Sequence, residues 1–152
     1  MSALGSGLLA GAAGTVAIDI ATYIDMARSN RPASELPSNV VAAIARRLGA
    51  TSLADAPENA HRRTALGALV GYGNGLALGA LHGLLHPVMK KLPWPIEGVL
   101  LGVASSAASD VPAARLGVTD PSSWSPTDWA SDLGFHIVYG LVTAGTLRAL
   151  KP

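Results

Sequence analysis

The chain has 152 residues, enough for one compact domain, with a net charge of +1 and no cysteine. Only 14% of its residues are charged, against roughly 25% in a soluble domain, and mean hydropathy is +0.36. These values exclude a disulfide framework, a thiolate metal site, a cysteine-linked lipid anchor and a strongly basic nucleic-acid surface, and they leave too little charge to cover a water-facing exterior.

Residues 1–18 carry no ionisable side chain, and the pattern predicts a helix over 4–24, with Asp19 inside its far end and Asp25 just beyond. At about 1.5 Å per residue such a helix spans roughly 30 Å, the thickness of a bilayer's hydrocarbon. No Lys or Arg precedes it as in a signal peptide, and a long loop follows, so it reads as a retained helix. Residues 28–63 hold Arg28, Arg31, Arg46, Arg47, Arg62 and Arg63, punctuated by Pro32, Pro37 and Pro57. Within them Val40, Val41, Ile44 and Leu48 fall at helical spacing with Arg46 and Arg47 off that stripe. This predicts a short amphipathic helix after Pro37, capped by Ser38 and stopped by Gly49. It fits the headgroup layer, and it fits equally a helix packed on the protein's own polar end.

The second span is 64–85, uncharged through residue 81 and closed by Pro87. The third, 96–111, is short, framed by Glu97 and Asp110 and entered through Pro93, Trp94 and Pro95. The fourth, 129–147, follows Ser125 as N-cap, Pro126 at the first helical position and Asp128 at the third. Trp124 and Trp129 suit an interfacial belt. The expected fold is therefore all-α, one membrane domain over 1–152: a polytopic transmembrane bundle of about four helices plus a short amphipathic interfacial helix. The side with the 28–63 and 112–128 loops carries seven Arg. The other side carries Lys90, Lys91, Arg148 and Lys151, four in all, so the long loop is expected in the cytoplasm and both termini outside.

Gly67, Gly71, Gly75, Gly79 and Gly83 recur every four residues along the second span. Five in register let another backbone approach closely, either within this bundle or as a docking face for another subunit. Gly7 and Gly11, and Gly98, Gly102 and Ser106, repeat the theme. Alternating helix directions bring Asp19, Asp25, Asp110, Asp128, Asp132 and His136 to one membrane face and His82, His86 and Glu97 to the other. Asp132 and His136 are one turn apart, with Tyr139 following on the same side. Ionisable groups at such depth cost about 2.5–3.5 kcal/mol on insertion scales, so they must face protein or water and pair. An Asp19–His136 or Asp132–His136 pair is the natural choice, as an interhelical clamp or as a proton or ligand site. His82 and His86, at i and i+4, could share a metal with Glu97, but His86 beside Pro87 at the membrane edge reads first as a solvated histidine. No nucleophile elbow, phosphate loop, HExxH or dinucleotide fingerprint is present. The run Gly71-Tyr72-Gly73-Asn74-Gly75 lies mid-helix with no preceding strand, so it is no phosphate cradle.

Two stretches, the opening Gly7-Leu8-Leu9-Ala10-Gly11-Ala12-Ala13-Gly14-Thr15-Val16-Ala17-Ile18-Asp19 and the closing helix Asp132-Leu133-Gly134-Phe135-His136-Ile137-Val138-Tyr139-Gly140-Leu141-Val142-Thr143-Ala144, resemble a group of small four-helix bacterial membrane proteins, many of the actinobacterial type. The resemblance covers the two outer helices well and the middle loosely. It implies a multi-pass protein of the bacterial cytoplasmic membrane and implies no activity. The functional expectation is an accessory subunit that packs a glycine-lined face against a larger membrane complex such as a transporter. The alternative is a homo-oligomeric proton-coupled carrier or channel using the buried Asp and His residues. No enzymatic activity, cofactor, resident metal or nucleic-acid partner is expected; the expected partners are membrane lipids and other membrane subunits or further copies of the chain.

Overall fold

The computed structural model describes residues 1–150, so Lys151, counted in the charge balance above, lies outside the described residues. The described residues form six α-helices and two 3-10 turns, with no strand among them. The helices are α1 (Ala3–Ser29), α2 (Leu36–Arg47), α3 (Thr51–Asp55), α4 (Ala60–Met89), α5 (Trp94–Arg115) and α6 (Pro126–Leu150). Three of them are long and apolar enough to cross a membrane: α1, α4 together with its leading turn, and α6. Large aliphatic side chains ring the outside, with Val16 58% and Leu69 63% exposed, a surface that suits lipid and not water.

Each long helix runs past the limits the hydropathy pattern gives, because capping and local hydrogen bonds, not apolarity, set helix ends. Ser2 caps α1 by accepting from the Gly5 amide at 3.0 Å, and the helix continues through Asp25 to a left-handed Asn30. Pro87 does not close α4. It removes one amide donor, but the Lys90 N–H still reaches the His86 carbonyl at 2.9 Å and the last turn holds. α5 has 22 residues instead of sixteen, with Pro95 in its first turn. At the start of α6, Ser125 and Asp128 cap reciprocally. The Ser125 amide donates to the Asp128 carboxylate at 2.9 Å, and the Asp128 amide donates to the Ser125 hydroxyl at 3.2 Å. Ahead of it, Asp120 closes a tight turn. The hydroxyl and the amide of Ser122 both donate to its carboxylate and hold that carboxyl below the usual carboxylate range.

The 28–63 segment is ordered into a cap over one end of the bundle. α2 starts earlier than expected, with Glu35 as N-cap and Pro37 inside the first turn. Ser38 is no cap: its hydroxyl donates to the Glu35 carbonyl at 2.8 Å. The buried face of α2 is Val41, Ala42, Ala43 and Ala45, small residues that let it lie close on α4, while Ile44 and Leu48 point outward. A left-handed Gly49 ends α2. Its amide bonds the Arg46 carbonyl at 3.1 Å and the Ala50 amide bonds the Ala45 carbonyl at 2.9 Å. Arginines tie the cap together: Arg46 pairs with Asp55, Arg47 donates to the Arg115 carbonyl and Arg63 to the carbonyls of Leu53 and Ala56.

The long helices pack as two intimate pairs, α1 on α4 and α5 on α6. A broad α1–α6 contact joins the pairs, whereas α4 and α5, neighbours in sequence, touch only lightly. Glycine makes each pair possible. A Cβ on Gly11 would fall 2.6 Å from the Gly75 carbonyl oxygen, and one on Gly79 would fall 2.6 Å from both the Gly11 nitrogen and the Gly7 carbonyl. Across α5 and α6, a Cβ on Gly102 would fall 2.6 Å from the Ile137 Cα, and one on Gly98 2.8 Å from the Leu141 Cα. With no apolar driving force between helices in lipid, such backbone contact supplies dispersion and Cα–H···O attraction instead.

Candidate functional site

The four-residue glycine row of α4 faces inward over most of its length. Gly67 lies under α2, where a Cβ would meet the Pro37 carbonyl carbon at 2.8 Å. Gly75 packs on Thr15, and Gly79 and Gly83 pack on the first half of α1. Only Gly71 has open space. The row is therefore taken up by the protein's own helices.

The expected convergence of Asp19 with His136 is not what the structure shows. Gly7, Gly11, Thr15 and Asp19 share one i, i+4 row of α1. That row faces α4, where Thr15 meets Gly75 and Asp19, one turn further, stands beside Tyr72. α6 is met by a different face of α1, through Gly14 against Tyr139 and Thr143. Tyr139 likewise turns away from the acids. It is buried, and its hydroxyl donates to the Gly75 carbonyl at 2.7 Å, a strut from α6 to α4. Asp25 pairs with Arg31, whose guanidinium carbon lies 5.6 Å from the centre of the Phe135 ring. Asp128 serves as a cap.

What does converge is Asp110, Ser106, Asp132 and His136. Ser106 extends the Gly98–Gly102 row of α5 that faces α6, and Asp110 follows one turn on. The Ser106 hydroxyl oxygen lies 2.8 Å from Oδ2 of Asp132 and 3.0 Å from Oδ2 of Asp110. Ser106 and Asp110 are 4% and 6% exposed, and Oδ1 of Asp110 has no hydrogen-bond partner. Nδ1 of His136 lies 2.9 Å from the Asp132 carbonyl oxygen and 3.3 Å from Oδ1 of Asp132. A carbonyl only accepts, so Nδ1 carries a proton. A serine hydroxyl has one proton to give. It can serve only one of two carboxylates, and the second contact is a hydrogen bond only if that carboxyl keeps a proton and donates it to Ser106. The geometry is thus satisfied when the two acids share a proton. Beside this group lies an outward-opening groove of about 360 Å³ between α5, the α5–α6 turn and α6, whose inner wall includes Asp110 and Ser106.

A second polar group closes the opposite end. Glu97 is 0% exposed and is held by Arg148, whose Nε donates to Oε2 at 2.7 Å and whose Nη2 donates to the Leu92 carbonyl. Nε2 of His82 lies 2.9 Å from Oε1 of Glu97 without in-line hydrogen-bond geometry. His86 is buried, not solvated. Of the three residues that could have shared a metal, His82, His86 and Glu97, the last is paired with Arg148, and no three His, Cys, Asp or Glu among the described residues are arranged to hold a metal. Sequence reasoning missed both Arg148 and the role of Ser106. Helix parity contained the first, since it brings the end of α6 to the start of α5. The i, i+4 row from Gly98 to Asp110 contained the second. No protein-family model matches this chain, and no curated protein or solved structure is significantly similar to it.

Proposed function

We propose that the chain crosses the bacterial cytoplasmic membrane four times and works as a small proton-coupled carrier, alone or as an oligomer, through Asp110, Ser106, Asp132 and His136. The single observation that carries the reading is the one hydroxyl set between two carboxyls, Asp110 buried and Asp132 partly buried, which calls for a bound proton. α5 is the one long helix that falls short of the apolarity of a membrane span, but four of its polar residues, Glu97, Ser105, Ser106 and Asp110, are buried. Its outward stripe, Ile96, Val99, Leu100, Val103 and Val111, is aliphatic, which supports a fourth crossing. Ile44 and Leu48 on the outer side of α2 support its lying in the headgroup layer. An accessory-subunit role draws less support, because the α4 glycine row that would dock a partner is occupied from within, Gly71 aside.

Topology is checked with single cysteines, which the chain otherwise lacks. Ser2→Cys and Lys91→Cys should label from the outside, and Ser34→Cys and Ser123→Cys from the cytoplasm. Labelling of Ser123→Cys from the same side as Lys91→Cys would remove the fourth crossing.

The proton is checked by infrared difference spectroscopy on protein in lipid. A protonated-carboxyl band should be present at neutral pH and disappear in Asp110→Asn and in Asp132→Asn. Both variants should stay within about 1 kcal/mol of the parent in stability, because an amide still bonds across the helices. Asp132→Leu should cost about 1–3 kcal/mol, since Ser106 and His136 then lose a partner. Absence of the band in the parent would reduce the cluster to a clamp and end the carrier reading.

A further inference from the structure

We propose that the α5–α6 groove binds a primary ammonium carried on a small apolar body, with Asp110 as its counter-ion. The inference rests on the proton-site reading above and names what the proton exchanges with. At about 360 Å³ the groove falls at the low end of small-molecule sites, which run roughly 300–1,000 Å³. It opens outward between α5 and α6, with walls mainly of hydrocarbon: Val103, Ala107 and Val111, exposed residues at the edge of the outward face of α5, then Leu133 and the partly exposed indole of Trp129 on the α6 side. That indole is braced by Trp124, the ring centroids 4.9 Å apart, and Trp124 is fixed in turn by its Nε1–H donating to Thr119 at 3.1 Å. A rigid indole face favours a cation.

Asp110 stands in the same wall, nine-tenths buried, with one oxygen unpartnered. With one shared proton the two acids keep one negative charge; the Nδ1–H of His136 faces Oδ1 of Asp132 at 3.3 Å, whereas Oδ1 of Asp110 has no donor. An ammonium supplies the donor that the orphan oxygen lacks, because it offers three N–H groups, and its compact positive charge takes the place of the departing proton. A bare metal ion does not fit, because it needs oxygens on several sides and this wall is mostly carbon. An anion does not fit either. The cationic residue in the wall, Arg115, is exposed, whereas both carboxylates lie deeper.

The exchange balances without a further reactant. The ammonium enters with its charge intact, and the shared proton leaves the acid pair for water. The acids go from one negative charge to two, and the added positive charge keeps the site at minus one. The charged and titratable groups facing this step are Asp110, Asp132, His136 and Arg115.

The test is calorimetric titration of the full chain in detergent with 2-phenylethylammonium chloride, read alongside tryptophan fluorescence and a pH indicator. Expected are saturable binding, release of a proton, and at least tenfold weaker binding in Asp110→Asn. Ala107→Phe, which adds a ring to the groove wall and leaves both acids in the chain, should weaken binding equally and covers the case in which Asp110→Asn does not fold. Equal binding of the isosteric alcohol 2-phenylethanol, or undiminished binding in either variant, would overturn the proposal. A tenfold loss of affinity in phosphatidylethanolamine discs relative to phosphatidylcholine discs would hand the site to a lipid headgroup and overturn the free amine. If the amine fails to bind while the Asp110-dependent carboxyl band persists, only this inference falls. If the band is missing too, the carrier reading falls with it.

Discussion

Truncating Arg148 to alanine is expected to destabilise the folded protein by about 3–5 kcal/mol, the usual cost of removing one partner from a buried ion pair. The reason is Glu97, which is 0% exposed and loses its counter-ion together with the bonds that tie the end of α6 to the α4–α5 turn at Leu92. His82 cannot take over, since it approaches the other carboxylate oxygen without hydrogen-bond alignment. Pairing the change with Glu97→Gln should recover most of the loss, because the stranded charge is then gone. Reversible unfolding in mixed micelles measures both. A loss below about 1 kcal/mol in Arg148→Ala would place the pair among weak, solvent-screened contacts.

Replacing Gly79 with leucine is expected to separate α1 from α4 and to cost about 3 kcal/mol or more. A Cβ there would already overlap the Gly11 nitrogen and the Gly7 carbonyl, both backbone atoms that cannot rotate aside. Gly71→Ala is the matched control. Nothing lies within 4 Å of its Cβ position, and alanine is the better helix former by about 1 kcal/mol, so this variant should be as stable as the parent or more so. Thermal unfolding separates the two. Equal behaviour would mean that the α4 glycines do not set the helix separation.

The contrast between Gly71 and Gly79 shows what the sequence could and could not tell. The five-residue glycine row is plain in the chain, but not which positions another backbone occupies, since that depends on where α1 crosses. The spans follow from their uncharged runs. Their ends do not, because Asn30, Lys90 and the Ser125–Asp128 cap act through local hydrogen bonds that hydropathy ignores. Helix direction suffices to gather Asp110, Asp132 and His136 at one end. It does not exclude Asp19, which shares their depth but faces α4, because which face meets which neighbour is a matter of rotation about the helix axis. Ser106 passes in the sequence as one more small packing residue, and its chemistry appears only when two carboxyls are set on it.

The light contact between α4 and α5 has a consequence for biosynthesis. As the chain leaves the ribosome, α1 and α4 can complete their mutual seam before anything later is made. α5 then emerges with Glu97 and Asp110, and the helix just synthesised offers it little surface to lean on. The partners that neutralise those two acids, Arg148 and the Ser106-bridged Asp132, depend on α6, with Arg148 near its very end. On the four-crossing proposal, the second half of the protein therefore enters the bilayer as an α5–α6 hairpin that is complete only once Arg148 has been made, and a ribosome stalled a few residues short of Arg148 would leave Glu97 without its counter-ion.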